Sequence, residues 1–251
     1  MKRVTLFFSF IFFFFSMFSS ELKEKKMTAQ EHYAQGKYEE AIADYTSILS
    51  NEKESPELFY NIGNAYYKNG EVGKAILYYE RALLISPNFD DAKYNLEIAQ
   101  LKTIDKIDEV ERFFFSRWID NTVNFMDSNS WAWLSLTLFV IFILLLLVYL
   151  FFKQEIIKKG SFYTGIFFLL FCILSLSFAY KQKQKVEKRE YAIIMEATTT
   201  IKSSPDHSGT DLFVLHEGTK VKIKSVLGEW VEVQLADGNI GWIKETSIEK
   251  I

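Results

Sequence analysis

The residues of this chain that could perform acid–base, metal or nucleophilic chemistry are few and scattered. The three histidines, His32, His207 and His216, show no metal-ligand spacing among themselves. The single cysteine, Cys172, lies inside a long apolar run, where a small packing residue is the simpler interpretation. An intramolecular disulfide and a cysteine–histidine peptidase are therefore excluded.

Other motifs of catalysis are missing or have a simpler structural interpretation. The chain has no nucleophile elbow, no P-loop and no dinucleotide-binding fingerprint. Gly238-Asn-Ile-Gly241 has the composition of a hairpin turn, and Asp90-Asp91 that of a helix cap. We therefore predict a protein that is not an enzyme, without catalytic residues, cofactor or metal. The formal net charge of −3 gives no electrostatic footprint for nucleic acid.

An internal repeat organises the N-terminal part of the chain. Gly36, Ala41 and Tyr45 recur 34 positions later, which is the period of the tetratricopeptide repeat (TPR), a unit of two packed helices. The second copy is nearly complete, with Pro56, Phe59, Ile62, Gly63, Tyr66, Gly70, Ala75, Tyr79, Ala82 and Pro87. This part of the chain therefore resembles TPR proteins, whose repeats form binding surfaces.

The resemblance sets the boundaries of an α-helical TPR solenoid over residues 21–110. It contains two repeats, 22–55 and 56–89, and a helix over 90–110 that caps the solenoid. The first half of repeat 22–55 fits poorly, since His32 stands where a tyrosine is usual.

TPR geometry implies a groove lined by the first helix of each repeat. The candidate partner-binding residues share this face, and they are Tyr60, Asn61, Asn64, Tyr67, Lys68 and Asn95. Asparagine can hold a peptide backbone through both a donor and an acceptor, and tyrosine adds apolar area and a hydroxyl. A solvated helix face without a ligand is the alternative interpretation.

Three apolar runs account for much of the 49% hydrophobic content. The first follows Lys2 and Arg3 and has the length of a signal-peptide core, so we predict a signal peptide over residues 1–20, with an uncleaved anchor as the alternative. The other two, residues 131–152 and 162–180, contain no charge and are long enough to span a bilayer.

The two long runs, joined by residues 153–161, predict a transmembrane hairpin. The signal peptide places the TPR part and the C-terminal part on the periplasmic side of the bacterial inner membrane, with residues 153–161 in the cytoplasm. The lysines within 153–161 agree with the positive-inside rule, whereas those within 181–190 oppose it.

Two segments flank the hairpin. Residues 111–130 alternate aromatic and charged side chains, which is typical of an amphipathic helix in the membrane interface. An extension of the last TPR helix is the alternative. Residues 181–190 are charged and contain no proline, and they are predicted to be a linker or the end of the second membrane helix.

From Tyr191 onward the composition changes to short runs rich in Val, Ile, Thr and Trp, separated by turn residues. The predicted strands are Ala192–Ile194, Thr198–Lys202, Lys220–Val226, Glu229–Leu235 and Ile240–Lys244. Asp237-Gly238 between two of them is a strong hairpin signal. Residues 191–251 are therefore predicted to form a small all-β barrel.

This C-terminal part resembles bacterial SH3 (SH3b) domains. The resemblance lies in Lys202-Ser-Ser-Pro205, Leu215-His-Glu-Gly218-Thr-Lys-Val221, Glu229-Trp230-Val-Glu-Val233 and Asp237-Gly238-Asn-Ile-Gly241-Trp242-Ile243. It implies binding of cell-wall peptides or other protein segments. Trp230 and Trp242 are the candidate binding residues, with packing in the core as the alternative for both.

The order of segments, together with Phe213-Val-Leu-His-Glu-Gly218 and Ala236-Asp-Gly-Asn-Ile-Gly-Trp242, resembles the BatE family of the Bacteroides aerotolerance (Bat) system. That resemblance implies partners among Bat membrane proteins with von Willebrand A domains and a MoxR-type ATPase, without a mechanism. We therefore expect a multidomain membrane protein that acts as a non-catalytic scaffold. A protein that binds or senses peptidoglycan is the alternative.

Overall fold

A computed structural model of the chain describes residues 23–50, 54–108 and 113–251. The predicted signal peptide, residues 1–20, lies outside the described residues. The chain divides into two compact units, and each is built from segments that are distant in sequence.

The first unit joins a set of short helices to the C-terminal β-structure. Residues 23–34 are helical and form α1. The following helices are α2 (Tyr38–Leu49), α3 (Pro56–Asn69), α4 (Val72–Ile85) and α5 (Asp90–Gln100). Leu83–Phe89, which includes the end of α4, belongs to the second unit. The helix–turn–helix arrangement agrees with the predicted repeats.

The ends of α3 follow from its sequence. The Ser55 hydroxyl accepts a hydrogen bond of 3.1 Å from the Leu58 amide, and Pro56 occupies the first turn, where no amide donor is needed. Gly70 ends the helix with φ of 90°, a left-handed conformation that is strained for other residues. Two residues therefore suffice to turn the chain from α3 into α4.

Gly63 is the point of closest approach between α3 and α4. A Cβ atom placed there would lie 2.7 Å from the Tyr79 ring and 3.3 Å from the Ala75 carbonyl oxygen. Phe59, Ile62 and Tyr79 are at most 2% exposed around this contact. The pattern of small and large residues in the second repeat thus marks a tightly packed helix crossing.

The helix predicted over 90–110 is wrong in its length, because α5 ends at Gln100. The Lys106 ammonium donates to the Gln100 and Leu101 carbonyl oxygens and so satisfies acceptors at the end of the helix. Residues 101–108 are irregular, and Ile107 packs against the core of the β-structure instead of continuing the helix face.

The C-terminal β-structure, residues 191–251, is a seven-stranded antiparallel sheet that we call the β-domain. Its strands are β1 (Tyr191–Ile194), β2 (Thr198–Lys202), β3 (Asp211–His216), β4 (Lys220–Leu227), β5 (Trp230–Gln234), β6 (Ile240–Lys244) and β7 (Ile248–Lys250). Their spatial order is β3-β2-β6-β5-β4-β1-β7. Side chains from all seven strands meet in one apolar core, so the sheet wraps around that core.

The hairpin predicted at Asp237-Gly238 is confirmed. β5 pairs with β6 across it, Gly238 has φ of 92°, and the Asp237 side chain accepts a hydrogen bond from the Asn239 amide. The sequence prediction missed β3 and β7. β7 has only three residues, and β3 contains four consecutive apolar residues, Leu212–Leu215, so neither shows a clear alternating pattern.

The second unit contains α6 (Phe114–Val123), α7 (Ser128–Phe151) and α8 (Glu155–Lys188). Both α7 and α8 are long and apolar enough to cross a membrane. Only 6% of the most apolar stretch of α7 is buried, and 22% of the corresponding stretch of α8. A core helix of a globular domain would be mostly covered, so these two helices leave their apolar surface without a protein partner in the described structure.

Small and hydroxyl residues join α7 and α8 as an antiparallel pair. The Ser128 hydroxyl donates to the Ala179 carbonyl oxygen at 3.0 Å, and the Ser175 hydroxyl donates to the Trp131 carbonyl oxygen at 2.8 Å. Gly165 lies against the Phe142 side chain. Small residues allow close helix approach where no water drives association.

Three predicted boundaries around the hairpin differ from the structure. The connection between α7 and α8 is only Phe152–Gln154 and not the predicted residues 153–161, because α8 begins at Glu155. Residues 181–188 continue α8, which confirms the helix-end alternative and not the linker, since the stretch contains no proline or glycine and Lys183 pairs with Glu187 one turn later. Within 111–130, α6 is a separate helix, so the extension of the TPR helix is wrong.

Candidate functional site

The candidate groove residues lie on α3 and α5, as predicted, but they do not form one free surface. Tyr60, Asn61, Asn64 and Tyr67 are half-buried, and Lys68 is exposed. Asn95 on α5 is half-buried beside them, and its Nδ2 donates to the Tyr60 hydroxyl at 3.2 Å. The structure therefore brings the first helix of repeat 56–89 into direct contact with α5, the helix that follows this repeat, at these positions.

Asn64 is a structural tie rather than a free peptide-binding side chain. Its Oδ1 accepts hydrogen bonds of 2.8 Å from the Tyr79 hydroxyl and from Asn95 Nδ2, and so joins α3 to α4 and α5. Burial raises the pKa of the Tyr79 hydroxyl, which therefore stays a donor. The Asn64 side chain is thus occupied within the protein, in contrast to its predicted role of holding a peptide backbone.

Tyr67 is also engaged within the protein. The Lys102 ammonium lies 4.2 Å from the centroid of the Tyr67 ring, the geometry of a cation–π contact. Lys102 was missed by the sequence analysis, because it belongs to the irregular segment that follows α5. The Tyr67 ring is therefore partly covered by a cation from outside the helix.

Asn61 and Lys68 are the candidates left for recognition. They lie on α3, seven positions apart, and so fall on the same face of the helix. The Asn61 side chain makes no hydrogen bond to the described residues, and the Lys68 side chain is exposed. An amide and a cation two turns apart suit an extended peptide that carries an acidic group.

The two tryptophans of the β-domain have different environments. Trp230 is 6% exposed and makes an edge contact with the His207 ring at 5.6 Å, so it is covered within the β-domain, although it lies on the opposite face of β5 from the core residues Val231 and Val233. Trp242 is half-buried on the opposite face of β6 from the core residues Gly241 and Ile243. Ile240 shares that outer face and is 45% exposed, so Trp242 is the better binding candidate.

The most developed polar site is a contact that the sequence analysis did not identify. It joins the repeat helices to the β-domain through residues 73, 80, 81 and 105 on one side and 216–220 with 249–250 on the other. We call it the repeat–β interface. The residues that contact each other across it are 111 to 169 positions apart in the sequence.

Asp105 is at one end of this interface. Its Oδ2 accepts from the His216 amide at 2.7 Å and from the Thr219 hydroxyl at 2.6 Å, and its Oδ1 lies 2.8 Å from His216 Nδ1. Burial raises the pKa of the Asp105 carboxyl, but the hydrogen bonds from Thr219 and His216 outweigh it, and the pKa lies below its ordinary value. The carboxylate form therefore holds the turn between β3 and β4.

The N-terminus of α4 receives a second side chain from this turn. The Gly73 amide donates to Glu217 Oε1 at 3.1 Å, which places a carboxylate at the positive end of the helix. A Cβ atom on Gly73 would lie 2.4 Å from the Glu217 side chain. Glycine at this position thus allows the β-domain to approach the helix.

Two ion pairs complete the interface along α4. Lys220 Nζ lies 2.6 Å from Glu80 Oε2, and the Glu80 residue is 8% exposed. Arg81 Nη2 lies 2.9 Å from Glu249 and donates to the Lys250 carbonyl oxygen at 2.6 Å. Pairing is needed at such positions because a buried charge without a partner is costly.

The interface has the components of acid–base chemistry but not their arrangement. The Thr219 hydroxyl donates to the Asp105 carboxylate and not to the His216 ring, so the three side chains do not form a hydroxyl–imidazole–carboxylate relay. Thr219 is also only 7% exposed, which leaves a substrate little access. Among the residues that the structure describes, no three His, Cys, Asp or Glu side chains are grouped to hold a metal ion.

Comparisons with known proteins agree with the two domains. Residues 26–92 match the tetratricopeptide repeat family, and residues 197–249 match the bacterial SH3 domain family. Photosystem I assembly protein Ycf3 of Acaryochloris marina (strain MBIC 11017) is 33% identical over 88 residues, which cover 32% of this chain and 53% of that protein. The chain thus spans about half the length of this relative and contains a TPR domain and a bacterial SH3 domain.

Proposed function

We propose that the protein is a non-catalytic membrane scaffold that recruits protein partners through the α3 face containing Asn61 and Lys68. The main observation in support of this proposal is the repeat–β interface, which involves α4 and leaves α3 free of the β-domain contacts described above. The β-domain contacts α4, the second helix of repeat 56–89, and Asn61 and Lys68 on its first helix, α3, remain accessible. TPR and SH3b domains are both modules of protein or peptidoglycan binding, and the matched relative is named as an assembly protein.

Membrane insertion of α7 and α8 supports a common location for the two domains. The repeat helices precede this pair in the sequence and the β-domain follows it, yet both belong to one compact unit. An even number of membrane crossings returns the chain to the side from which it started. Contact between the repeats and the β-domain is therefore compatible with a two-span hairpin and not with a single span.

The finer proposal places both domains on the periplasmic side of the inner membrane, within a Bat-type complex. It rests on the predicted signal peptide and on the family resemblance. In that setting the partners would be Bat membrane proteins with von Willebrand A domains and the associated MoxR-type ATPase.

Recruitment should depend on the exposed part of the groove. Asn61→Ala combined with Lys68→Glu removes an amide and reverses a charge, and we expect about a tenfold loss of apparent partner affinity, roughly 1.4 kcal/mol. The measurement is quantitative co-purification of crosslinked partners from native membranes. Lys224→Glu, a charge reversal at an exposed position of the β-domain, is the matched control.

Unchanged recovery of the partners by the folded double variant would contradict the groove as the recruiting surface. A Trp242→Ala variant distinguishes the second candidate function, which its half-exposed ring favours. If the full chain sediments with isolated peptidoglycan and Trp242→Ala does not, the β-domain binds cell wall. Asn64→Ala is unsuitable for this test because Asn64 joins three helices.

Membrane topology gives a separate prediction. A periplasm-active reporter fused after Ile251 should be active, and a cytoplasm-active reporter at the same place should be silent, because two crossings follow an exported N-terminal part. The reverse pattern would place both domains in the cytoplasm. It would leave the hairpin and the repeat–β interface unaffected.

A further inference from the structure

An exposed aromatic surface covers one side of α6. Phe114, Phe115 and Trp118 are 80%, 58% and 56% exposed, and they fall within about 100° of the helix circumference. The Phe115 and Trp118 rings lie 6.0 Å apart. Such a cluster of exposed aromatic side chains indicates a surface that is covered by another molecule.

The other side of α6 is fixed to the hairpin. Val123 is fully buried, and its carbonyl oxygen accepts a hydrogen bond of 3.0 Å from Trp131 Nε1. Lys181 pairs with Asp120 at 3.0 Å, and Lys185 donates to Asn124 Oδ1 at 2.8 Å. The orientation of the aromatic surface is therefore determined by contacts with α7 and with the last turns of α8.

These contacts place α6 at one end of the apolar zone of the hairpin. The Ser128 hydroxyl bonds to the Ala179 carbonyl oxygen, so the start of α7 is level with residue 179 of α8. Tyr180, next to this level, is 64% exposed, and Trp133, about 7.5 Å further along α7, is 69% exposed. At the opposite end, the Tyr149 and Phe162 rings lie 5.6 Å apart.

The spacing of the two aromatic levels fits a bilayer. The 16 residues from Trp133 to Tyr149 span about 24 Å of helix, slightly less than a hydrocarbon core of about 30 Å. Tryptophan and tyrosine concentrate at the boundary between hydrocarbon and headgroups. The α6 surface belongs to the same boundary as Trp133 and Tyr180.

We propose that Phe114, Phe115 and Trp118 form a lipid-docking surface that holds α6 at the boundary between headgroups and acyl chains. This inference rests on the proposed insertion of α7 and α8. Lipid is the occupant because the surface continues the aromatic level of the hairpin. Arg117, which is exposed beside the aromatic cluster, is suited to contact lipid phosphates.

The test uses the full-length protein in phosphatidylcholine–phosphatidylglycerol vesicles with lipids brominated either close to the headgroup or near the acyl-chain end. Tryptophan quenching is compared among the wild type, Trp118→Phe and Trp133→Phe. We expect shallow bromine to quench more strongly than deep bromine. Each substitution should remove part of the shallow quenching.

Three results would contradict the proposal, and each has a different cause. If only Trp133→Phe reduces the quenching, the hairpin is inserted and α6 is not docked, which overturns the proposal. If neither substitution changes it, the membrane insertion itself fails. If Trp118 is shielded from bromine and also from aqueous iodide, a protein or a second copy covers the surface, and the lipid proposal is again overturned.

Discussion

Replacement of Asp105 by alanine is expected to loosen the β-domain from the repeat helices. The variant leaves the His216 amide and the Thr219 hydroxyl without their acceptor, at a cost of about 1–3 kcal/mol for each buried donor left unpaired. A loss of this size corresponds to a fall in Tm of about 5 °C or more. The measurement is thermal unfolding of the detergent-solubilised chain together with hydrogen exchange of residues 216–220.

Asp108→Ala is the matched control, because Asp108 is an exposed aspartate in the same irregular segment. It should leave both Tm and hydrogen exchange unchanged. Equal behaviour of the two variants would mean that Asp105 does not hold the turn between β3 and β4. A fall in Tm without faster exchange at 216–220 would place the effect elsewhere in the molecule.

The same contact gives a direction for the pH dependence. The pKa of Asp105 is lower in the folded protein than its ordinary value of 3.8, so the folded state favours the carboxylate. Its stabilising contribution is fully present above that ordinary pKa and is lost as the pH falls through the lower folded value. Exchange at 216–220 should therefore accelerate on acidification below about pH 4 in the wild type and change less in Asp105→Ala.

Replacement of Gly63 by leucine should destabilise repeat 56–89, which α3 and α4 form. Even the first carbon of a side chain would lie 2.7 Å from the Tyr79 ring, so α3 and α4 would have to separate. Overpacking of this kind costs about 1–3 kcal/mol. Displacement of Tyr79 would also weaken its hydrogen bond to Asn64.

The measurement is again thermal unfolding of the full chain, with circular dichroism to follow the helices. Gly160→Leu provides the control, since Gly160 is a helical glycine with open space around the position that a Cβ atom would take. That variant should unfold at or slightly above the wild-type temperature, because leucine favours helix over glycine. A Tm unchanged in Gly63→Leu would show that the two helices do not cross at this residue.

Local patterns in the sequence were sufficient for the elements that depend on neighbouring residues. The 34-residue repeat identified α2, α3 and α4, and the glycine within it marked the crossing at Gly63. Asp237-Gly238 identified one hairpin of the β-domain. In each case the residues that determine the structure lie within a few turns or strands of one another, so their spacing is visible in the chain.

The candidate site was predicted less completely. The sequence placed Asn61, Asn64 and Lys68 on one helix, but the partners of Asn64 come from α4 and α5. The cation beside Tyr67 comes from Lys102, which no motif identifies. Which polar groups are already satisfied within the protein depends on side-chain geometry, and that geometry decides which of them are available to a ligand.

The sequence by itself determined the two domain families, the two long apolar helices and the absence of catalytic motifs. Only the tertiary structure decided that the β-domain rests on α4, because the contacts of Gly73, Glu80 and Arg81 with that domain join residues more than 100 positions apart. It also fixed α6 against α8 through the Lys181–Asp120 pair, 61 positions apart. Hydrogen bonds and ion pairs act over a few ångströms in space and carry no signature in the spacing of the chain.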